Sequence, residues 1–306
     1  MSRIGEALRR AGAIDQAADD RIDDPVLDHG RKDIHDAWDL THYAAETPSG
    51  LSAAPEITHQ LTTAAARDAR REPVRCHEAL KGKLVIGAEI PLVAIEQYRR
   101  LAGTLHDLQL QHGIKTLMVT SSLPREGKTL SIANLALTLS QSYRLRVLLV
   151  DADLRHPSVH ELFGLPNKAG LADVVRTRGR SVPLVDVSDQ LSVLTAGQPD
   201  ANPLAQLTSS HVKDFLHAAA QQFDWVLVDT PPIGLISDAQ LVARLCQAAL
   251  FVVSAGNTPY RLVQRGLEEL GADRVVGIVL NRMEQQDLPN RHQYGQYYET
   301  GRSARP

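Results

Sequence analysis

The sequence predicts an α/β fold in which a doubly wound, mostly parallel sheet is covered by helices on both faces. Short apolar runs alternate with helical stretches between residues 84 and 285, which is the pattern of repeated βα units. These runs are apolar at nearly every position, as strands buried on both faces are. Aromatic residues make up only 4% of the 306 residues, which favours a helix-covered sheet over an aromatic-rich β-sandwich.

Individual elements follow from the length and periodicity of each run. The predicted strands are residues 116–120, 147–150, 191–195, 225–228, 249–253 and 275–280. The predicted helices are residues 91–112, 128–140, 210–222, 238–246 and 260–270. Sheets of this type bind ligands at the carboxyl ends of their strands, so we expect the functional side chains at that edge.

The chain divides into four predicted segments. Residues 1–12 form a short amphipathic helix, which is either a frayed terminus or a docking helix. Residues 13–83 are acidic at first and poor in apolar side chains throughout, which predicts a mostly disordered linker. Residues 84–285 form the globular domain, and the polar residues 286–306 are expected to be a flexible tail.

Charge and hydropathy exclude several classes of protein. The formal net charge of −3 argues against a general nucleic-acid binder, which needs a basic face. No apolar run approaches the ~20 residues that span a bilayer. The basic residues at the N-terminus are not followed by the apolar segment of a signal peptide. We therefore expect a cytoplasmic protein that reaches a membrane only through a partner.

The strongest motif is SSLPREGKT, which lies between the first predicted strand and the following helix. Amide groups and the dipole at a helix N-terminus bind phosphate, and Gly127 lets the backbone approach closely. In such a P-loop, Lys128 reaches the β- and γ-phosphates of ATP and the Thr129 hydroxyl ligates Mg²⁺. Ser122 replaces the usual first glycine. The predicted nucleotide-binding residues here are Ser122, Leu123, Pro124, Arg125, Glu126, Gly127, Lys128, Thr129 and Leu130.

Two further apolar runs end in carboxylates. VLLVDADLR contains Asp151 and Asp153, and WVLVDTPP contains Asp229. All three are expected at the ligand edge of the sheet, and hard carboxylate oxygens suit Mg²⁺, which uses few protein ligands. Asp151 and Asp153 could also accept a proton from an attacking hydroxyl. The predicted metal ligands are Thr129, Asp151 and Asp229, and the predicted catalytic residues are Lys128, Asp151 and Asp153.

Together, the P-loop, the DxDxR motif and the DTPP motif resemble those of the bacterial tyrosine kinases (BY-kinases) of capsule and exopolysaccharide loci. The resemblance covers about residues 90–285, and DxDxR is its most specific motif. It implies a protein-tyrosine autokinase that uses ATP and Mg²⁺, in which Asp151 orients or deprotonates the incoming tyrosine. It also implies phosphorylation in trans of a C-terminal tyrosine cluster, which here consists of Tyr294, Tyr297 and Tyr298.

The resemblance extends to contacts and partners. Asn281 fits an adenine-edge contact seen in related P-loop folds, whereas Asp238 is expected to cap a helix. The family's ExxRxxR stretch for ring assembly keeps Glu96 and Arg99, but Ala102 replaces its last arginine. We expect self-association, with a stable ring left open. The implied activator is the cytoplasmic tail of a transmembrane polysaccharide chain-length regulator on a separate chain.

Two alternatives are kept beside the kinase. An ATP-binding switch or scaffold of the polysaccharide assembly complex, with little kinase activity, is favoured slightly by Ala102 and by the short tyrosine cluster. A partitioning-type ATPase is disfavoured, because those proteins carry a second lysine five residues before the lysine of the P-loop. Leu123 stands at that position, and the Pro124 that follows is typical of the kinases.

Overall fold

The computed structural model describes residues 83–86, 90–178, 182, 184–198 and 203–283. Its helices are α1 (Leu92–His112), α2 (Lys128–Gln141), α3 (Val159–Phe163), α4 (Leu171–Arg176), α5 (Pro203–Leu207), α6 (Ser210–Gln222), α7 (Ser237–Ala243) and α8 (Tyr260–Leu270). Its strands are β1 (Thr116–Ser121), β2 (Val147–Asp151), β3 (Val185–Asp186), β4 (Leu191–Leu194), β5 (Trp225–Asp229), β6 (Ala248–Ser254) and β7 (Val275–Asn281). A 3₁₀ turn, Ala272–Arg274, precedes β7.

Within the described residues, the strands form one sheet in the order β3-β4-β2-β5-β1-β6-β7. Neighbouring strands are parallel except for the short antiparallel pair β3–β4. Alternate residues of β2 enter two separate apolar clusters, because successive side chains of a strand point to opposite faces. Helices α1–α3 cover one cluster and α4–α8 cover the other, which confirms the doubly wound prediction.

All six predicted strands and all five predicted helices are present, with boundaries that move by at most a few residues. The helix expected over residues 238–246 is the shorter α7. The prediction missed β3, α3, α4 and α5, because elements of two to six residues are too short for a period to register. The predicted N-terminal helix and the tyrosine tail lie outside the described residues, as does the linker except for Lys83.

Residues 83–86, at the predicted boundary between the linker and the globular domain, lie against α2. The Asn134 side chain pairs with their backbone, because its oxygen accepts from the Val85 N–H at 2.9 Å. Its amide nitrogen donates to the Lys83 carbonyl at 3.0 Å. Leu84 is fully buried between these contacts. The folded domain therefore begins before α1. None of the helices in the described ranges has both the length and the apolar character of a membrane span.

Candidate active site

The carboxyl ends of β1, β2 and β5 lie side by side near the centre of the sheet. Asp151 at the end of β2 is in register with Asp229 at the end of β5, and β5 is also paired with β1. The P-loop follows β1 directly, so it shares this edge with both carboxylates. The prediction that the three motifs converge is confirmed by the register of the strands.

The P-loop enters α2 through Gly127, whose φ of 95° lies in the left-handed region that favours glycine. Ser122, at the position where a glycine is usual, is buried and donates its hydroxyl to the Leu262 carbonyl of α8 at 3.1 Å. The serine side chain is thus satisfied by a contact outside the loop. Pro124 and Arg125 are exposed at the tip, and Leu130 is half-buried in the first turn of α2.

Lys128 lies over the second carboxylate of the DxDxR motif. Its Nζ is 3.4 Å from Asp153 Oδ2, and both side chains are largely buried. Asp153 Oδ1 accepts from the His156 N–H at 3.0 Å, which fixes the carboxylate at the start of the loop after β2. Within the described residues, Asp153 is the carboxylate that forms a salt bridge with Lys128. Lys128 is therefore positioned to bind a phosphate in place of Asp153.

Thr129 and Asp229 form the centre of the candidate metal site. The Thr129 hydroxyl donates to Asp229 Oδ2 at 2.7 Å and accepts from the Ser158 hydroxyl at 3.2 Å. Asp229 Oδ1 is buried and has no hydrogen-bond partner among the described residues. Burial raises the pKa of Asp229 to about 6, although Lys128 and the Thr129 hydroxyl act to lower it. A buried acceptor oxygen of this kind fits a hard cation.

In the described part of the chain, no group of three or more His, Cys, Asp and Glu side chains is arranged to hold a metal ion. Mg²⁺ does not require such a group, because it keeps several waters and binds through one or two carboxylates together with substrate phosphates. Thr129 and Asp229 therefore fit the requirements of Mg²⁺ accompanied by a nucleotide. They do not fit a protein cage for a cation alone.

Asp151 is fully buried and faces the backbone of the following loop. Its Oδ2 accepts from the N–H groups of Ser158 and Val159, at 3.1 and 3.0 Å, and its Oδ1 accepts from the Asp153 N–H at 3.2 Å. It thereby holds the N-terminus of α3. Burial, and next the negative charge of Asp229, raise the pKa of Asp151 well above its usual range. Its predicted role as a proton acceptor stays a prediction.

The structure also reveals partners that the sequence did not indicate. Arg155, the arginine of the DxDxR motif, forms a bidentate pair with Asp238, at 2.7 Å from Nε to Oδ2 and 3.2 Å from Nη2 to Oδ1. Asp238 lies in the first turn of α7, two residues after the N-cap position Ile236, where no side chain makes a capping hydrogen bond. The expectation that Asp238 caps a helix is therefore wrong. Ser158 was also missed, because a single serine carries no motif.

The two remaining predictions within the described residues concern Asn281 and α1. The Asn281 amide donates to the Glu126 carbonyl of the P-loop at 2.8 Å, so it lies at the nucleotide edge but contacts protein. On α1, Glu96 and Arg99 pair with each other at 2.6 Å, and Ala102 is fully buried. The third position of the ExxRxxR stretch thus faces the core.

Comparisons with known proteins agree with the fold. No family model matches the chain. The chain is 34% identical over 206 residues to tyrosine-protein kinase YwqD of Bacillus subtilis, covering 66% of this chain and 85% of that protein. It is 32% identical over 193 residues to the putative tyrosine-protein kinase CapB of Staphylococcus aureus, covering 61% and 84%. The solved kinase domain of Escherichia coli tyrosine kinase ETK superposes with a TM-score of 0.57 at 31% identity, covering 61% of this chain and 75% of that domain.

Proposed function

The chain belongs to the bacterial tyrosine kinase family, and on this premise we propose that it is an ATP- and Mg²⁺-dependent autokinase that phosphorylates its own tyrosine cluster in trans. The acceptors are Tyr294, Tyr297 and Tyr298, which follow the last described residue by 11 to 15 positions. The physiological role is regulation of exopolysaccharide or capsule synthesis and export, since relatives of this family serve such loci.

One observation carries the nucleotide-binding part of this proposal. The Thr129 hydroxyl and Asp229 are already in contact, and the second oxygen of Asp229 is buried with no partner in the part of the chain that the structure describes. Burying a polar atom unpaired costs free energy unless a ligand completes it. The Lys128 ammonium lies within the same cluster of side chains. A nucleoside triphosphate with Mg²⁺ requires a cation for its phosphates and oxygen ligands for its metal, and these groups supply both.

The proposed chemistry relies on charge placement more than on covalent catalysis. Bound Mg²⁺ would neutralise charge on the phosphates, with Thr129 and Asp229 as its protein partners. Lys128 and the amides of the P-loop stabilise the phosphoryl group in transfer. Asp151 orients the incoming tyrosine and accepts its proton. Asp153 holds Lys128 until phosphate replaces it.

The proposed activator is the cytoplasmic tail of a transmembrane polysaccharide chain-length regulator. Such a partner would complete the nucleotide site and bring the kinase to the inner face of the plasma membrane. We expect weak autophosphorylation of the purified chain alone and a large increase when the activator tail is added. Equal activity with and without the tail would contradict the need for an activator, but it would leave the kinase assignment intact.

A second candidate function is an ATP-binding switch that controls assembly of the polysaccharide complex with little phosphoryl transfer. It is favoured by α1, where the charged pair Glu96–Arg99 is internal to the helix and Ala102 faces the core. A surface without its third charged residue is less suited to a ring in which tyrosine tails reach neighbouring sites. Self-association that follows ATP binding, without phosphotyrosine, would support this candidate.

The test is phosphosite mapping by mass spectrometry after incubation of the full chain with ATP and Mg²⁺, with and without the activator tail. The kinase proposal expects phosphate on the tail tyrosines and none in Lys128→Ala. Lys213→Ala removes an exposed charge from α6 and serves as the matched control, with unchanged incorporation. Phosphotyrosine retained in Lys128→Ala would overturn the proposal, and ATP turnover without phosphotyrosine would favour the switch.

A further inference from the structure

The side chain of Glu126 turns inward from a loop whose tip is exposed. Only 3% of Glu126 is accessible, whereas its neighbour Arg125 is exposed. Glu126 Oε2 accepts from the Leu123 N–H within the loop at 2.7 Å. Oε1 accepts from the Thr258 hydroxyl and from the Ser254 N–H, the latter at 3.4 Å. Both oxygens of this carboxylate are therefore occupied by donors from the protein.

The backbone carbonyls of Arg125 and Glu126 are held by side chains at the end of β7, whereas the Glu126 side chain contacts the end of β6. The Asn281 amide at the end of β7 donates to the Glu126 carbonyl at 2.8 Å. The guanidinium of Arg282 donates to the Arg125 carbonyl at 2.6 Å. Two consecutive carbonyls of the P-loop are thus drawn toward the carboxyl end of β7.

The planarity of the peptide bond gives these contacts a consequence for the phosphate site. In a trans peptide, the C=O of one residue and the N–H of the next point in opposite directions. When the carbonyls of Arg125 and Glu126 point toward β7, the N–H groups of Glu126 and Gly127 point away from it. These N–H groups belong to the anion-binding part of the loop at the start of α2.

Gly127 is required by the same arrangement. A Cβ built on Gly127 would lie 2.0 Å from Asn281 Nδ2, which is far inside van der Waals contact. Any side chain at position 127 would displace Asn281 from the loop. The glycine therefore serves both the positive φ and the close approach of Asn281.

We propose that Glu126, Thr258, Asn281 and Arg282 form a loop clamp that pre-orients the amides of the P-loop for phosphate. They are positioning residues, because their side chains contact the protein. The inference rests on the proposed function in that the loop must bind a nucleotide. It assigns Asn281 to the phosphate loop, where the sequence had indicated the adenine edge. Pre-organised donors bind a ligand more tightly, because less freedom is lost on binding.

The decisive variant is Glu126→Gln, for which two effects have opposite signs. Removing a negative charge beside the phosphates would by Coulomb's law strengthen nucleotide binding. The clamp predicts weaker binding, because the glutamine NH₂ must face either the Leu123 N–H or the Ser254 N–H, and neither group can accept a hydrogen bond. We expect the Kd for Mg²⁺–ATP to rise about tenfold or more, measured by calorimetry at a temperature where both proteins are folded.

Two further variants separate orientation of the loop from contact with the base. Asn281→Ala is expected to weaken Mg²⁺–ATP and Mg²⁺–GTP by the same factor, since the clamp acts on phosphates. Thr258→Val is expected to weaken both nucleotides, and the conservative Thr258→Ser to restore affinity to within about twofold of the wild type. Hydrogen exchange of the peptide that covers the P-loop should quicken in Glu126→Gln and Thr258→Val.

The outcomes distinguish the clamp from the proposed function. If the wild-type chain does not bind Mg²⁺–ATP, the proposed function fails and the clamp with it. If the wild type binds and Glu126→Gln binds equally or more tightly, the clamp alone is wrong. A loss in Asn281→Ala that is confined to ATP and spares GTP would return Asn281 to the adenine edge and overturn its place in the clamp.

Discussion

The Asp229 carboxylate favours the binding of a cation but destabilises the folded chain when no ligand is bound. Its carboxylate is fully buried at the end of a central strand, next to Asp151, and one of its oxygens lacks a hydrogen-bond partner within the described ranges. Burial of two carboxylates at neighbouring strand ends is unfavourable without a counter-ion. The ligand-free chain is thus destabilised by the burial and mutual repulsion of these carboxylates, and a bound cation would offset both. Buried, repelling carboxylates of this kind are typical of functional sites.

We predict that Asp229→Asn stabilises the ligand-free chain at neutral pH and abolishes kinase activity. The Asp229 pKa is raised from 3.8 to about 6, so its stabilising contribution is complete below 3.8 and is lost as the pH rises through about 6. About one pH unit of this range lies above pH 5, so the wild type should lose about 1.4 kcal/mol from this group between pH 5 and pH 7.5. Asp229→Asn should lose correspondingly less.

The measurement is calorimetric unfolding of both proteins across this pH range without nucleotide. Asp214→Asn on the exposed face of α6 is the control, and it should follow the wild type. Addition of Mg²⁺–ATP at pH 7.5 should raise the melting temperature of the wild type and leave Asp229→Asn unchanged. Identical pH profiles for the wild type and Asp229→Asn would contradict the prediction.

At the scale of elements, a salt bridge connects two loops that lead to helices on opposite faces of the sheet. The loop after β2 leads to α3 on one face, and the loop after β5 leads to α7 on the other. The pair between Arg155 and Asp238 joins these two connections, since Arg155 follows β2 and Asp238 begins α7. The Asp238 carboxylate is only 1% exposed, whereas the Arg155 side chain is partly exposed. Loss of the pair would therefore leave Asp238 without solvent to replace its partner, but not Arg155.

This inequality predicts the result of a double-mutant cycle measured by urea unfolding. Arg155→Met should lower stability clearly, because it leaves the buried Asp238 carboxylate without its guanidinium. Adding Asp238→Asn should restore most of the loss, since no buried charge then remains unpaired. Arg265→Met breaks the exposed Arg265–Glu269 pair of α8 and should change stability little. Additive effects of the two substitutions would show that the pair does not couple the loops.

Elements of the sheet were predictable because each was long enough to show its period. β5 and β6, for example, are apolar at every position but the last and were predicted within one residue at each end. α4 was missed because it has six residues, and its start depends on the Asp173 carboxylate accepting from the Gly170 N–H at 2.7 Å. Such local hydrogen bonds leave no periodic trace in the sequence.

At the scale of the whole molecule, some residues of the site could be predicted from the sequence and others could not. The motifs located Lys128, Thr129 and Asp229, because the carboxyl ends of parallel strands share one edge. Contacts that support the site could not be predicted, since they join residues far apart in the chain. Glu126 and Thr258 are 132 positions apart, and Arg155 and Asp238 are 83 apart. No spacing rule connects residues at such separations.

The N-terminal limit of the folded unit gives the last prediction. Leu84 is 0% exposed and belongs to the apolar cluster of α1 and α2, whereas Ile86, two residues later, is 38% exposed. Leu84→Ala should therefore reduce the free energy of unfolding by about 2–5 kcal/mol, the range for a buried leucine. Ile86→Ala is the matched control, and it should cost about 1 kcal/mol or less.

Urea unfolding of the two variants tests whether residues 83–86 belong to the domain. A large loss for Leu84→Ala alone would mean that the segment folds together with α2, the helix that also carries Lys128 and Thr129. Asn134→Ala should then lower stability as well, because it releases both backbone contacts to this segment. Equal, small losses for Leu84→Ala and Ile86→Ala would place these residues with the linker.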